Sequence, residues 1–412
     1  MKYDICVVGL GYIGLPTASI FATRGKKVLG VDVVESVVAT INQGKIHIEE
    51  PDLDVLVRAA VQSGNLEAAT EPQAANVYII AVPTPFHEKA TGEKLPDLGY
   101  VEAATKSIAK KIDNGAQVIL ESTSPVGTTE QVQAWMEAAL AAEERDINLA
   151  SLLYAHCPER ILPGQMLKEL VSNDRIAGGL SPEAAMAAKE LYESFCTAEI
   201  VLTNARTAEM AKLTENASRD VGIAFANELS MICEELDIDV WELIELANRH
   251  PRVNILQPGP GVGGHCIAVD PWFIVGAAPK RARLIRTARE VNQAKPSFVV
   301  QQVVEKAERY KNPVIACLGL AFKANVDDLR ESPALWIVEQ LAEKQEYELL
   351  VAEPFIRQLP KSLEGKGRLI AVDEAVKAAD IVVLLVDHRA FRDIPTSLLK
   401  SKVLIDSKGF FR

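Results

Sequence analysis

Three glycines near the N-terminus have the spacing of a phosphate-binding turn. Gly9, Gly11 and Gly14 follow the apolar run at residues 5–8 and open a segment with helical spacing. Glycine permits close approach of the backbone to a pyrophosphate, and the N–H groups at a helix start attract anions. Asp32 ends the next apolar run, close to the ~20 residues downstream where a carboxylate accepts hydrogen bonds from ribose hydroxyls. The set predicts a dinucleotide site that favours NAD, because an acid repels the 2′-phosphate of NADP; the alternative is a glycine turn with a capping Asp.

Cys266 lies in a loop rich in glycine and proline, at residues 251–271. Glycines leave its side chain little cover and permit close approach of a ligand, so the thiol is a candidate nucleophile. The alternative is a buried thiol that packs as a small apolar group, and spacing alone leaves both interpretations open. We expect burial for the other five cysteines, which are Cys6, Cys157, Cys196, Cys233 and Cys317.

A polar stripe occupies the long segment without proline at residues 204–235. Lys212, Asn216 and Arg219 are spaced i, i+4 and i+7, which places them on one helix face. By spacing alone a solvated face is the favoured interpretation. The alternative is an acid/base lysine beside an amide that polarises an oxyanion.

Further polar candidates follow other predicted strands or open the cysteine loop. They are Thr84, Thr123, Glu159 and Arg160, then Phe322, Lys323 and Arg330, and finally His250 and Arg252. Ligands bind at the carboxyl ends of parallel strands, and cations there suit a diphosphate. The alternatives are turn or capping chemistry for the threonines, a solvated ion pair for Glu159 and Arg160, and a structural role for His250.

The composition indicates a soluble intracellular protein. Of 412 residues, 48% are hydrophobic, and 44 basic against 56 acidic residues give a net charge of −12. This charge argues against nonspecific binding to nucleic acid or to a membrane, although a local basic pocket can still hold an anionic small molecule. The scattered cysteines lack metal-ligand spacing and are typical of reduced thiols in the cytoplasm. No apolar run approaches the ~20 residues of a membrane helix.

The arrangement of strands and helices predicts an α/β protein. Buried β-branched runs alternate with helical patterns in the first and last parts of the chain, and the middle is helical with a loop rich in proline and glycine. We therefore predict two Rossmann-like doubly wound domains joined by a central all-helical region. The predicted domains are residues 1–203, which bind NAD, 204–310, which form a helical dimerisation region with the cysteine loop, and 311–412.

The motifs GLGYIG, Asp32, ESTSPVG, CPER, KLTENxxRD, GGHCIAVDP and FKxNxDDLRES occur in that order. With them the chain resembles the UDP-glucose/UDP-mannuronic acid dehydrogenase family over essentially its whole length. The glucose enzymes carry a Lys where this chain has Val269, and the GGHC pattern with His265 resembles the branch that acts on N-acetylated UDP-hexosamines. The expected substrate is UDP-N-acetyl-D-mannosamine, and its uronate would supply surface polysaccharides such as enterobacterial common antigen.

The resemblance implies a four-electron oxidation at C6 with two NAD⁺ and one water, through a thiohemiacetal and a thioester on Cys266. Lys212 would be the acid/base group, Asn216 would hold the oxyanion, and Asp270 and Glu159 would order water with support from Thr123. The implied NAD contacts, beyond the three glycines, are Tyr12, Ile13, Asp32, Thr84, Thr123 and Arg330. The resemblance also implies that residues 311–412 form the UDP-sugar-binding domain. The implied UDP-sugar contacts are Arg160, Ile161, Lys212, Asn216, Arg219, His250, Arg252, Gly263, Phe322 and Lys323. Arg252 would come from a partner subunit, so a homodimer is expected.

Three alternatives remain at this level. The first is an enzyme of the same type that acts on UDP-N-acetylglucosamine or UDP-glucose. The second is a two-electron dehydrogenase of the 6-phosphogluconate or hydroxyacid type. The third is a noncatalytic NAD-binding regulator. The second would not need Cys266 and would form one NADH per substrate. The third predicts no turnover of any UDP-hexose.

Overall fold

A computed structural model describes residues 2–48, 50–88, 94–161, 164–264, 266–344 and 346–412. The chain forms two compact units, Met1–Thr214 and Glu215–Arg412. The predicted finer division at residues 203 and 310 stays a prediction. Among the described residues, no helix combines the length and the apolar character needed to cross a membrane.

The first unit is built on one large sheet with helices on both faces. Its strands are β1 (Tyr3–Val8), β2 (Val28–Val31), β3 (Leu66–Ala69), β4 (Ala75–Ile80), the hairpin β5 (Phe86–Glu88) and β6 (Lys94–Pro96), β7 (Gln117–Leu120), β8 (Leu153–His156), β9 (Arg175–Gly179) and β10 (Ile200–Asn204). Its helices are α1 (Gly14–Thr23), α2 (Glu35–Asn42), α3 (Leu53–Gln62), α4 (Gly99–Ala109), α5 (Thr128–Ala142), α6 (Met166–Ser172) and α7 (Pro182–Tyr192), followed by α8 (Ala205–Glu235), which continues into the second unit.

The order of the strands in this sheet is that of a dinucleotide-binding fold. The sheet runs β10-β9-β8-β7-β4-β1-β2-β3. When the separate hairpin is left out of the numbering, the strands from β3 to β8 read 3-2-1-4-5-6. Successive side chains of β1 point to opposite faces, so Ile5 and Val7 enter one apolar layer and Cys6 and Val8 the other. Burial on both faces explains the continuous apolar runs in the sequence.

Two features of this sheet differ from the sequence prediction. The strands β3 and β9 were not predicted, because their sequences LEAA and RIAGG are poor in β-branched residues and only their neighbours in the sheet hold them. The prediction of a parallel sheet fails at β8 and β9, which pair antiparallel at Ala155–Gly179 and His156–Gly178.

The second unit contains helices and a smaller sheet. Its helices after α8 are α9 (Val240–Asn248), α10 (Asp270–Ala277), α11 (Arg283–Ala307), α12 (Pro333–Glu343), α13 (Val372–Ala378) and α14 (Thr396–Leu399). Its strands are β11 (Val314–Leu318), β12 (Glu348–Ala352), β13 (Arg368–Leu369), β14 (Ile381–Leu384) and β15 (Val403–Asp406), in the parallel order β13-β12-β11-β14-β15. This order reads 3-2-1-4-5, so the prediction of a second Rossmann-like domain is confirmed. The long helices α8 and α11 confirm the helical centre, whereas α10, directly after the cysteine loop, was not predicted.

Candidate functional site

The glycine turn between β1 and α1 has the geometry that a dinucleotide requires. Gly9 has φ of +96°, and a Cβ on it would lie 2.6 Å from the carbonyl oxygen of Ala81 at the end of β4. A Cβ on Gly11 would instead meet no described atom within 4 Å, so this side of the turn is open for close approach of a ligand. Tyr12 at the turn is 41% exposed. These residues fit the pyrophosphate of NAD at the start of α1.

Asp32 directly follows β2 and faces the same turn. Its Oδ2 accepts a hydrogen bond of 3.1 Å from the N–H of Leu10, and its Oδ1 accepts one of 3.0 Å from the N–H of Val34. These bonds orient a half-buried carboxylate beside the glycine turn, where it can accept hydrogen bonds from a ribose. The residues therefore fit the adenosine half of NAD.

Two loops at the carboxyl end of the sheet are joined by a pair of predicted site residues. The hydroxyl of Thr84 donates a hydrogen bond of 2.6 Å to the carbonyl oxygen of Thr123. The loop continues from Thr123 to Gly127 and Thr129, whose N–H groups donate hydrogen bonds of 2.6 and 2.8 Å to the buried carboxylate of Glu209 in α8. Glu209 thus anchors the loop that carries Thr123, a role that spacing along the chain did not indicate.

Glu159 lies in a buried network of charges and not in solvent. Its carboxylate is 5% exposed and pairs with Arg175, whose guanidinium lies over the rings of Tyr192 and Phe195. The alternative of a solvated ion pair is therefore wrong for Glu159. The other carboxylate oxygen of Glu159 accepts a hydrogen bond of 2.8 Å from the N–H of Arg160.

A second buried acid lies in this network. Glu121, at the end of β7, accepts hydrogen bonds from Tyr192 at 2.8 Å and from Thr17 at 3.3 Å. Burial, and then the negative charge of Glu159, raise its pKa to about 7. Sequence reasoning missed Glu121 and Arg175, although an acid at the end of an apolar strand was a usable signal.

The predicted stripe lies on α8. Lys212 and Asn216 are half-buried and Arg219 is exposed. Lys212 is close enough to His156, at the end of β8, that its charge adds to burial in lowering the pKa of that histidine to about 3. Of the three stripe residues only Arg219 is exposed, and the acid/base role of Lys212 stays a prediction.

Cys266 is exposed, and the other five cysteines are buried as predicted. Its carbonyl oxygen accepts hydrogen bonds from the N–H groups of Val269 and Asp270 at 3.1 and 2.9 Å, so one tight turn joins the thiol to the start of α10. The buried carboxylate of Asp270 accepts a bond of 2.5 Å from the amide of Asn216. The structure thus pairs the amide of Asn216 with the carboxylate of Asp270 and places Cys266 on the turn that ends at Asp270.

The loop after β11 packs against the cysteine loop. A Cβ on Gly263 would lie 3.0 Å from Cβ of Phe322, and one on Gly264 would lie 2.9 Å from the Phe322 ring. Gly264 has φ of +80°, so both its conformation and this contact require glycine. Lys323 is exposed beside this contact. His265 lies outside the described residues.

The other predicted residues are more peripheral. Ile161 is half-buried, and Arg160 donates to the carbonyl oxygen of Asp174. His250 and Arg252 are exposed at the start of the cysteine loop, and Arg330 is exposed and paired with Asp328 at 2.6 Å. No described contact assigns these side chains to a ligand, so their binding roles stay predictions.

A buried network that sequence reasoning missed holds the beginning of the cysteine loop. The N–H of Gly259 donates to Asn227 of α8 at 2.9 Å, and the amide of Asn227 donates to Asn292 of α11 at 2.9 Å. Asn292 donates to Asp220, which also pairs with Arg289 at 2.6 Å. Each of these polar groups is buried, so the network defines where the loop leaves the helices. Asp220 is the last residue of the motif KLTENxxRD, so the motif was the feature of the sequence that could have indicated this network.

The second unit contains a cavity of about 600 Å³, part of which is formed by residues near the C-terminus. It is lined in part by Trp241, Gln257, Lys408 and Arg412. The cations of its lining are each paired with an acid: Arg249 with Glu245, Lys408 with Asp387 and Arg412 with Asp239.

The N-terminal fold and its glycine turn define an NAD-binding oxidoreductase domain. Sequence profiles of the UDP-glucose/GDP-mannose dehydrogenase family match residues 3–196 as its NAD binding domain, 206–294 as its central domain and 316–412 as its UDP binding domain. The chain belongs to this family. It is an NAD-dependent UDP-sugar dehydrogenase, which confirms the predictions of an enzyme and of its cofactor.

Relatives cover the chain almost completely. The NDP-N-acetyl-D-galactosaminuronic acid dehydrogenase of Ralstonia solanacearum is 59% identical over 99% of this chain and 96% of its own length. The UDP-N-acetyl-D-mannosamine dehydrogenase of Salmonella typhi is 55% identical over 99% of both chains. The solved UDP-D-ManNAc dehydrogenase of Pyrococcus horikoshii is 40% identical, with a TM-score of 0.88 over 100% of this chain and 96% of that one.

Proposed function

We propose that the protein oxidises UDP-N-acetyl-D-mannosamine at C6 to UDP-N-acetyl-D-mannosaminuronate in four electrons. One sugar alcohol, two NAD⁺ and one water give the carboxylate, two NADH and three protons. Relatives named for this substrate at 55% and 40% identity support the proposal. The observation that carries it is the exposed Cys266 on a turn whose other end is Asp270, itself bonded to Asn216.

The chain's residues divide the chemistry as follows. Lys212 takes the proton of the C6 hydroxyl as the alcohol is oxidised to an aldehyde. The thiolate of Cys266 adds to the aldehyde carbon, and Asn216 donates a hydrogen bond to the oxyanion of the thiohemiacetal. A second oxidation leaves a thioester, which water cleaves at the carbon–sulfur bond to release the carboxylate and the thiolate. NAD⁺, when bound at the glycine turn, would supply the hydride acceptor for each oxidation.

Asp270 is proposed to orient the hydrolytic water. Its carboxylate is 4% exposed and bonded to Asn216, so its direction is defined by the protein. Glu159, with Thr123 in support, is proposed as the second group that orders water. Covalent capture on sulfur keeps the aldehyde from escaping between the two oxidations.

A second candidate substrate is UDP-N-acetyl-D-galactosamine. The Ralstonia relatives named for the galactosaminuronic acid are 59% identical to this chain, against 55% for the Salmonella relative. Both substrates carry an N-acetyl group and a C6 hydroxyl and differ in the configuration of ring carbons. UDP-N-acetylglucosamine and UDP-glucose are the remaining alternatives.

Four sugars assayed with NAD⁺ test the assignment: UDP-N-acetylmannosamine, UDP-N-acetylgalactosamine, UDP-N-acetylglucosamine and UDP-glucose. We expect the highest kcat/KM for the first and two NADH per sugar consumed. A higher kcat/KM for another N-acetylhexosamine overturns the epimer, and a preference for UDP-glucose overturns the branch. One NADH per sugar contradicts the four-electron route.

The proposal extends to assembly and to the cellular role. The protein acts as a cytoplasmic homodimer in which Arg252 contacts the substrate bound to the partner subunit, and its uronate enters a surface polysaccharide such as enterobacterial common antigen. Exposed apolar side chains on α8 and α9, among them Phe225 and Leu246, support a subunit contact through these helices. Light scattering gives the mass in solution, and a monomer at assay concentration contradicts this part.

A further inference from the structure

Glu353 and His388 form a buried pair in the second Rossmann-like domain, outside the residues assigned above. Glu353 directly follows β12, and His388 lies shortly after β14; their side chains are fully buried. His388 Nδ1 accepts a bond of 2.9 Å from the N–H of Asn325, so the ring proton is on Nε2 and is donated to Glu353 Oε2 at 3.0 Å. The rings of Phe355 and Phe391 pack against the imidazole.

The pair holds the backbone of the loop that follows β11. Glu353 Oε2 also accepts bonds from the N–H groups of Leu320 and Ala321 at 2.7 and 3.1 Å. Together with the Asn325 contact, three backbone N–H groups of residues 320–325 depend on these two side chains. Leu320 and Ala321 are buried, and a buried N–H that loses its acceptor costs free energy, so the pair determines the path of this loop.

The first domain has the same turn and acid at its dinucleotide site, and the acids of the two domains differ in burial and in partner. Gly9 and Gly319 both follow the first strand of their domain, with φ of +96° and +93°. The next residue is a Leu in both turns. The N–H of Leu10 donates to Asp32, and the N–H of Leu320 donates to Glu353, and each acid directly follows the second strand of its domain. Asp32 is half-buried there, whereas Glu353 is 5% exposed and committed to His388. The acid of the second domain therefore acts on its own loop instead of on a ribose.

The loop that the pair holds reaches the cysteine loop through Phe322. The N–H of Phe322 is fixed by the carbonyl oxygen of Asp328 at 3.0 Å; its Cβ lies beside Gly263 and its ring beside Gly264. Cys266 follows two residues after Gly264. A displacement of residues 320–325 would therefore move both the predicted UDP-sugar contacts Phe322 and Lys323 and the support of the thiol.

We infer that Glu353 and His388 are positioning residues, which set the loop at residues 320–325 for UDP binding and support the placement of Cys266 through Phe322. This inference rests on the proposed roles of Phe322, Lys323 and Cys266. It assigns the pair no contact with the substrate.

The variant His388→Phe tests the pair, because it keeps an aromatic ring between its neighbours and removes both hydrogen bonds. Calorimetric titration with UDP alone is expected to give a Kd raised about tenfold, the loss expected for one or two buried hydrogen bonds. The rate at which iodoacetamide alkylates Cys266, followed by peptide mass spectrometry, is expected to change at least about threefold. His388→Gln offers a donor and an acceptor and is expected to restore both values to within about twofold.

Phe391→Leu is the matched control, since it removes packing against the imidazole and leaves both hydrogen bonds in place. We expect lower thermal stability with unchanged UDP affinity and alkylation. The inference is overturned if His388→Phe binds UDP and is alkylated like the wild type, or if Phe391→Leu weakens UDP binding equally. Should His388→Phe fail to fold, Glu353→Gln is measured in the same way, with the same outcomes. UDP binding and alkylation of Cys266 are both measured without turnover. A wrong sugar assignment therefore leaves both measurements unchanged and appears only as missing NADH formation by the wild type.

Discussion

The amide of Asn216 donates a hydrogen bond of 2.5 Å to the carboxylate of Asp270, across 54 residues of sequence. The bond joins the group proposed to hold the oxyanion to the group proposed to direct water. Since Asp270 also closes the turn that begins at Cys266, this bond links that turn to α8.

Asp270→Asn is expected to stall the enzyme after acylation, because water is no longer directed at the thioester. The variant should release a burst of two NADH per active site and then turn over about 10²-fold or more slowly. Intact-mass spectrometry should detect the sugar acyl group on Cys266. Steady turnover at the wild-type rate without an adduct would remove Asp270 from hydrolysis.

Cys266→Ala is expected to abolish formation of the acid, by about 10³-fold or more, since the aldehyde has no covalent capture. NADH per sugar should fall from two to at most one. Cys196→Ala is the control: this thiol is 6% exposed in the core of the first unit, so its loss should lower stability and leave kcat unchanged. Acid formation by Cys266→Ala at a wild-type rate would exclude the thioester route.

Asp32→Ala is expected to raise KM for NAD⁺ about tenfold and to improve the relative use of NADP⁺, because the acid binds ribose and repels a 2′-phosphate. KM for the UDP-sugar should stay the same. Asp4→Ala is a matched control: Asp4 Oδ2 also accepts a backbone bond, 2.8 Å from the N–H of Lys27, but at the opposite end of β1. Equal effects of the two variants would show that Asp32 acts only on the fold.

Stability is expected to depend on pH through Glu121. Its pKa of about 7 in the folded protein lies above the ordinary 4.5, mainly because burial disfavours the carboxylate. Between these values the folded state binds the proton and the unfolded state does not, so stability falls as pH rises from about 4.5 to 7. The loss relative to Glu121→Gln is expected to reach about 3 kcal/mol.

Urea unfolding of both proteins from about pH 4 to about pH 9 measures this difference. We expect the free energy of unfolding of Glu121→Gln to decline less than that of the wild type over this interval, with no further divergence above pH 8. Parallel curves would show that Glu121 does not hold its proton in the folded protein.

The local parts of the site were predictable because their physics is local. The glycine turn, Asp32 after β2, the stripe on α8 and the glycines before Cys266 all follow from residue type and short spacing, and the structure shows each element. The strands β3 and β9 were missed, since they depend on their neighbours in the sheet rather than on their own composition.

The two Rossmann-like domains, the helical centre and the positions of reactive side chains follow from the sequence alone, because periodicity and chain spacing act within one element. The partner of each buried polar group emerges only from packing between elements: Arg175 for Glu159, Asn216 for Asp270, and His388 for Glu353. These partners lie on separate elements, and a buried charge or amide must be satisfied by whatever packing brings within about 3 Å. No pattern along the chain encodes that distance.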